Sequence, residues 1–249
     1  MIRIAAVADV HLGTDSAGTL SPHLSQLGDR ADLLCIGGDL TRHGEPEEAA
    51  VLAGELRDVA VPVVCVLGNH DYDADSEDLV RKELEEAGVT VLEGERVVLD
   101  INGRSVGVAG TKGFGGGFPG AAASDFGEPE MKAFVRHSRR LAESLEEQLE
   151  GLDSDVKIAL THFSPVEETL QGERLEIYPF LGCYLLAEAI DRGGAHLALH
   201  GHAHSGTEKG RTPGGVPVRN VAQPVIRHAY NVYCVGSGDD DPTCEPAPS

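Results

Sequence analysis

The chain has 249 residues, 41% hydrophobic and 24% charged, a balance that suits a globular protein with a sizeable buried core. Its 41 Asp and Glu against 20 Lys and Arg give a formal net charge of −21, which opposes binding to nucleic acid and to anionic membrane surfaces. No apolar run reaches the roughly 18 residues of a membrane span, and the opening MIRIAAVADVHLG meets an Asp and a His too early for an apolar leader, so a cytoplasmic protein is expected.

Along the chain, short apolar runs alternate with helical stretches. Strands are expected over 3–8, 32–36, 61–67, 89–92, 97–101, 105–109, 156–160 and 196–199. Helices are expected over 21–30, 45–59, 76–87, 129–149 and 185–191. Pro46 stands early in its helix, where a missing N–H costs nothing, and Gly88 ends the third helix. Such alternation implies an α/β chain built on a largely parallel sheet covered by helices.

Two stretches interrupt this order. One is the glycine-rich segment 111–127, and the other runs over 163–183. Both read as long surface loops, of the kind that serve as lids or as tolerated insertions. Residues 1–235 read as a single domain, and 236–249 as a disordered acidic tail. The five cysteines, 35, 65, 183, 234 and 244, are scattered and odd in number, so reduced thiols are expected rather than a disulfide framework.

The chemistry stands where the strands end. Val7-Ala8 runs into Asp9-Val-His11, and Leu34-Cys-Ile36 into Gly37-Gly-Asp39. Val64-Cys-Val-Leu67 runs into Gly68-Asn-His-Asp71, and Ile158-Ala-Leu160 into Thr161-His162. Leu197-Ala-Leu199 runs into His200-Gly-His-Ala-His204. In an open α/β sheet the carboxyl ends of the strands form the ligand crevice, so these ends would gather Asp, Asn and His at one place. Any one block alone reads as a capped loop or a turn. Imidazole with carboxylate, and no thiolate, suits Mn, Fe, Zn or Ni.

The ordered set Asp9-x-His11, Gly38-Asp39, Gly68-Asn-His-Asp71, His162 and Gly201-His-Ala-His204 resembles the calcineurin-like metallophosphoesterase superfamily. The resemblance spans residues 9–204 with all five blocks intact. It implies a two-sheet β-sandwich of mixed strands flanked by helices. It implies two divalent or mixed-valence transition metal ions, one on Asp9, His11, Asp39 and His204, the other on Asp39, Asn69, His162 and His202. Asp39 bridges them in this reading. The implied reaction is hydrolysis of a small phosphoester, by in-line attack of a hydroxide held between two cations roughly 3.5–4 Å apart. His70 would then be the catalytic histidine that assists the leaving alkoxide. His200 has no place in either ligand set and reads as a strand-end residue, and Gly201 as the turn that lets the backbone pass close to the cations.

The second block departs from the protein-phosphatase branch. Arg42 stands where that branch has the Asp that orients the catalytic histidine, and Asp71 where it has Glu. The block looks instead like the bacterial phosphodiesterase-type branch. A phosphodiesterase is therefore favoured. A phosphomonoesterase of the same mechanism, or a non-catalytic metal-binding interaction protein on the same fold, stays open. Arg42 and His43 would lie near the metal rim, as substrate contacts or on a solvated loop. Phe163, after His162, would make the mouth of the site more apolar, and Asn220 reads as a strand-end hydrogen-bonding residue.

Overall fold

The computed structural model describes residues 1–236 and 242–246 of the chain. The first half alternates strand and helix: β1 (Ile2–Val7), α1 (Ser21–Leu24), α2 (Leu27–Arg30), β2 (Leu33–Gly37), α3 (Pro46–Leu56), β3 (Val63–Val66), α4 (Glu77–Glu86) and β4 (Thr90–Val91). A hairpin of β5 (Glu95–Ile101) and β6 (Arg104–Thr111) follows, then the short pair β7 (Gly117–Phe118) and β8 (Ala121–Ala122). Next come α5 (Pro129–Glu150), β9 (Val156–Thr161), α6 (Tyr178–Leu181), α7 (Tyr184–Gly193) and β10 (Leu197–His200). The last elements are β11 (Lys209–Arg211), β12 (Pro217–Asn220), α8 (Gln223–Ile226), β13 (Asn231–Val235) and β14 (Thr243–Pro246).

These strands make two six-stranded sheets, ordered β14-β13-β1-β2-β3-β4 and β11-β12-β10-β9-β6-β5. The inner pairs β1–β2–β3–β4 and β6–β9–β10–β12 are parallel. Antiparallel strands β13 and β14 close one sheet, and β5 and β11 close the two edges of the other. The expected largely parallel sheet is thus two mixed sheets. The expected sandwich flanked by helices is the observed fold.

Strand alternation builds the layers. On β1, Ile2, Ile4 and Ala6 face the second sheet, where they meet residues such as Val108, Ile158 and Leu199. Ala5 and Val7 face the other way, onto Leu52 of α3 and Val80 and Leu84 of α4. On the far side, Leu145 and Leu149 of α5 and Ile190 of α7 cover Ala159 and Ala198 of the second sheet. Each fully buried Leu or Ile contributes roughly 1.5–3 kcal/mol. The central strands are therefore apolar on both faces, as parallel strands covered on both sides must be.

Three expectations are corrected here. The single helix over 21–30 is two short turns, because Ser25 Oγ donates to the Pro22 carbonyl at 2.9 Å and competes with continued helix. The tail is not wholly without structure: Thr243–Pro246 pair with β13, whose free edge accepts them. Residues 237–241 and 247–249 of the expected disordered tail lie outside the described residues. A disulfide joins Cys234 to Cys244, while Cys35, Cys65 and Cys183 are free and buried, so reduced thiols hold for only these three. Among the described residues, no helix is long and apolar enough to cross a membrane.

Ile158 is fully buried between the sheets and Leu79 is half exposed. Ile158→Ala should lower the unfolding free energy by about 2–5 kcal/mol, and Leu79→Ala by less than about 0.5 kcal/mol. Denaturant unfolding of the metal-free chain measures both.

Candidate metal centre

The carboxyl ends of β1, β2, β3, β9 and β10 meet where the two sheets approach one another. The loops after β1 and β2 are zipped by backbone hydrogen bonds from Asp9 N to Gly38 O (3.0 Å), His11 N to Asp39 O (3.0 Å) and Leu12 N to Leu40 O (3.1 Å). The loop after β10 joins them where His202 N donates to the Asp9 carboxylate at 3.0 Å. Asp9, His11, Asp39 and His202 all take left-handed backbone angles, with φ between 44° and 69°. Such angles cost non-glycine residues free energy and persist where the surroundings over-determine them, as at functional sites. Gly201 answers a different need from the expected turn. A Cβ there would lie 2.4 Å from Asp9 Oδ2, so only glycine lets the strand end approach the carboxylate, and His202 makes the left-handed turn.

All the residues expected to bind metal are brought together. Asp9, His11, Asp39 and His204 each offer one ligand atom within 4.8 Å of the others, and so do Asp39, His162 and His202. Asn69 joins the second group, with Oδ1 3.0 Å from His162 Nε2.

The donor chemistry fits a cation. His162 Nδ1 lies 2.8 Å from the Gly37 carbonyl and must donate there. Its Nε2 is then the ring nitrogen turned to the site. That atom faces Asn69 Oδ1 at 3.0 Å and Asp39 Oδ1 at 3.3 Å. Imidazole, amide and carboxylate atoms gathered this closely are a donor set that a metal ion can satisfy. His11 Nε2 is buried and has no hydrogen-bond partner among the described residues. His202 Nε2 lies 3.2 Å from the Phe180 carbonyl, which leaves Nδ1 as its free lone pair. Burial pushes the His202 imidazole down to about 3 and also lowers His11, so both favour the neutral form that binds metal.

His70 sits beside these groups, its ring 4.6 Å from that of His11 in an edge-to-face contact. Its Nδ1 meets the Arg42 carbonyl at 2.9 Å and the Asp73 carboxylate at 3.5 Å. A main-chain carbonyl thus orients His70, where the protein-phosphatase branch uses an Asp. Asp71 is instead fully buried and clamps two loops: its carboxylate accepts from Leu40 N (3.1 Å), Thr41 N (2.8 Å), Thr41 Oγ1 (2.6 Å) and Gly68 N (2.7 Å).

His200 stands apart from both groups. Its Nδ1 meets the Gly201 carbonyl at 2.8 Å and its Nε2 meets Thr169 Oγ1 at 2.9 Å, so both nitrogens are engaged in the core. Burial pushes its imidazole down to about 4. Asn220 buttresses the histidine loop, donating to the Ala203 carbonyl at 2.8 Å. His43 turns away to Glu48, with Nδ1 3.0 Å from Oε1. Phe163 is buried against the rings of His162 and His202, so it backs the site rather than lining its mouth.

The two long loops lock together. Gly116 N donates to Pro179 O at 2.7 Å and Gly117 N to Gly182 O at 2.9 Å, and within the second loop Ser164 N donates to Leu181 O at 3.0 Å. The reading of the sequence missed one cluster nearby. Lys112 Nζ lies 3.8 Å from the Tyr72 ring centroid, and the Tyr72 hydroxyl donates to Glu93 at 3.0 Å. Burial raises Glu93 to about 7. These residues lie 21 or more positions from Tyr72 and in no common motif, so no local signal joined them.

The chain resembles the solved phosphopantetheinyl hydrolase of Mycobacterium tuberculosis at 18% identity, over 88% of each chain with a TM-score of 0.65. It resembles the TT1561 protein of Thermus thermophilus at 17% identity, over 93% of each chain with a TM-score of 0.56. At such identities the likeness is one of fold. A stretch of 80 residues is 29% identical to a Fibrobacter succinogenes protein named "Probable cyclic nucleotide phosphodiesterase", covering 28% of this chain and 31% of that relative's length. Residues 2–206 match the family described as calcineurin-like phosphoesterase, and the chain belongs to that family.

Proposed function

We propose that the chain is a phosphohydrolase that works with two transition metal ions and prefers a phosphodiester. The observation that carries this reading is the convergence of Asp39, Asn69 and His162, with His162 Nε2 3.0 Å from Asn69 Oδ1 and 3.3 Å from Asp39 Oδ1, beside the group Asp9, His11, Asp39 and His204. Family membership and the name of the short Fibrobacter match support phosphoester and diester chemistry. The second block, with Arg42 where protein phosphatases have Asp, supports the bacterial phosphodiesterase-type branch.

In this reading Asp9, His11, Asp39 and His204 hold one ion, and Asp39, Asn69, His162 and His202 the other. Mn, Fe, Zn and Ni all suit such donors. When bound, a metal pair supplies a nucleophile at neutral pH and neutralises charge on the phosphate. The chain's own residues do the rest. The Gly37 carbonyl fixes the His162 tautomer, the Phe180 carbonyl fixes that of His202, and the buried Asp71 clamp holds the second and third loops in register. With Nδ1 engaged by the Arg42 carbonyl, His70 presents Nε2 as the atom that delivers a proton to the departing alkoxide.

Two outcomes follow. His70→Ala should keep its metal content and lose about 10²–10⁴-fold in kcat on a diester with an alkoxide leaving group. The loss should be smaller on bis(p-nitrophenyl) phosphate, because nitrophenolate departs without a proton. Equal turnover of the alkoxide diester by the variant and the parent would contradict the role. His202→Ala should lose bound metal and His200→Ala should retain it, as read by atomic emission spectrometry. Equal losses from the two would show that this division of the histidines is wrong.

A further inference from the structure

A cavity of about 700 Å³ opens beside the metal centre, with the ligand His11 in its wall. Its lining is unlike the rest of the protein. The chain carries 41 acidic residues against 20 Lys and Arg, yet Arg42, Arg227, His23 and His228 line this cavity and no carboxylate does. Leu12, Leu20 and Pro224 give it an apolar floor. Arg42 is held at the near side, over Gly13, where an added Cβ would lie 2.7 Å from its Cζ. Its partner there is the exposed Asp15, at 3.0 Å, an ion pair that solvent screens and a ligand anion can replace. Arg227 makes no side-chain hydrogen bond or ion pair among the described residues. It caps α8 in a left-handed backbone conformation, φ 57°, that brings its side chain to the cavity wall.

We propose that this cleft receives the body of the substrate and that Arg227 and Arg42 bind a second anionic group carried on it. The proposal rests on the phosphohydrolase reading above. The scissile phosphoryl group goes to the metals at the His11 wall, an uncharged linker lies on the apolar floor, and a further phosphate or carboxylate meets the guanidinium forks. The substrate class is therefore an organic phosphoester with a second anion. A neutral alcohol or an uncharged sugar as the second portion would leave the Arg227 guanidinium unanswered by the substrate.

The test uses the full metal-loaded chain and probes it cannot hydrolyse. Alkylphosphonates of three to eight carbons are compared by calorimetric titration with the α,ω-bisphosphonates of the same length. At one or more lengths the bisphosphonate should bind about tenfold tighter or more, and Arg227→Gln and Arg42→Gln should each reduce that ratio. The full effect of a charge-assisted contact is of that size. A ratio near one at every length, or a ratio that neither variant changes, would overturn the proposal. Turnover of bis(p-nitrophenyl) phosphate by the same preparation is scored separately. Its absence would overturn the phosphohydrolase reading while the binding ratio still judges the cleft.

Discussion

The Asp39 carboxylate is almost wholly buried and belongs to both groups of candidate metal ligands. Its Oδ1 accepts from His70 N at 2.9 Å and faces His162 Nε2 at 3.3 Å, while its Oδ2 lies 3.7 Å from His11 Nε2. A buried charge of this kind costs several kcal/mol unless it is compensated. The surrounding structure is arranged around that cost. The loops after β3 and β10 supply hydrogen bonds to Asp39 and Asp9, and imidazoles crowd against both acids. A Cβ on Gly68 would lie 2.1 Å from Asp39 itself, so the third block needs its glycine for the same reason that the last block needs Gly201.

Compensation by hydrogen bonds is incomplete, and the incompleteness is informative. Asp71 sits in the same region, is as deeply buried and is answered by four donors. Asp39 and Asp9 lean on imidazoles and a few backbone amides instead. The first arrangement is structural: it fixes two loops and leaves nothing over. The second gathers carboxylate, amide and imidazole atoms within reach of one another. Left-handed backbone angles at Asp9, His11, Asp39 and His202 add further cost at the same positions. Free energy spent on geometry at one spot is best understood as preorganisation for cations that bind there.

Much of this was legible in the sequence because each ligand follows an apolar strand directly. Val7-Ala8 before Asp9 and Leu197-Ala-Leu199 before His200 announce both the strand and its polar end. Resemblance then supplied the two-sheet arrangement, which alternation alone reads only as a parallel sheet. What stayed hidden was long-range. The Arg42 carbonyl that orients His70 is a main-chain atom, and no side-chain pattern marks it. Phe163 looked exposed beside a ligand, yet its ring is buried behind His202 because the 163–183 segment folds back onto the 111–127 segment. Strands β11 to β14 are short, and β13 pairs with β1, more than two hundred positions earlier in the chain. His11, Arg42 and Arg227 share one cavity wall across more than two hundred positions of sequence, which no local window spans.

The shared carboxylate is the point on which the account turns. Metal content per chain should be measured by atomic emission spectrometry for the parent and for Asp39→Asn, after both are loaded with Mn and freed of loose ions. The parent should hold two ions and the variant should lose both sites together, because a neutral amide cannot bridge two cations. A variant that keeps two ions, or a parent that holds none, would contradict the account.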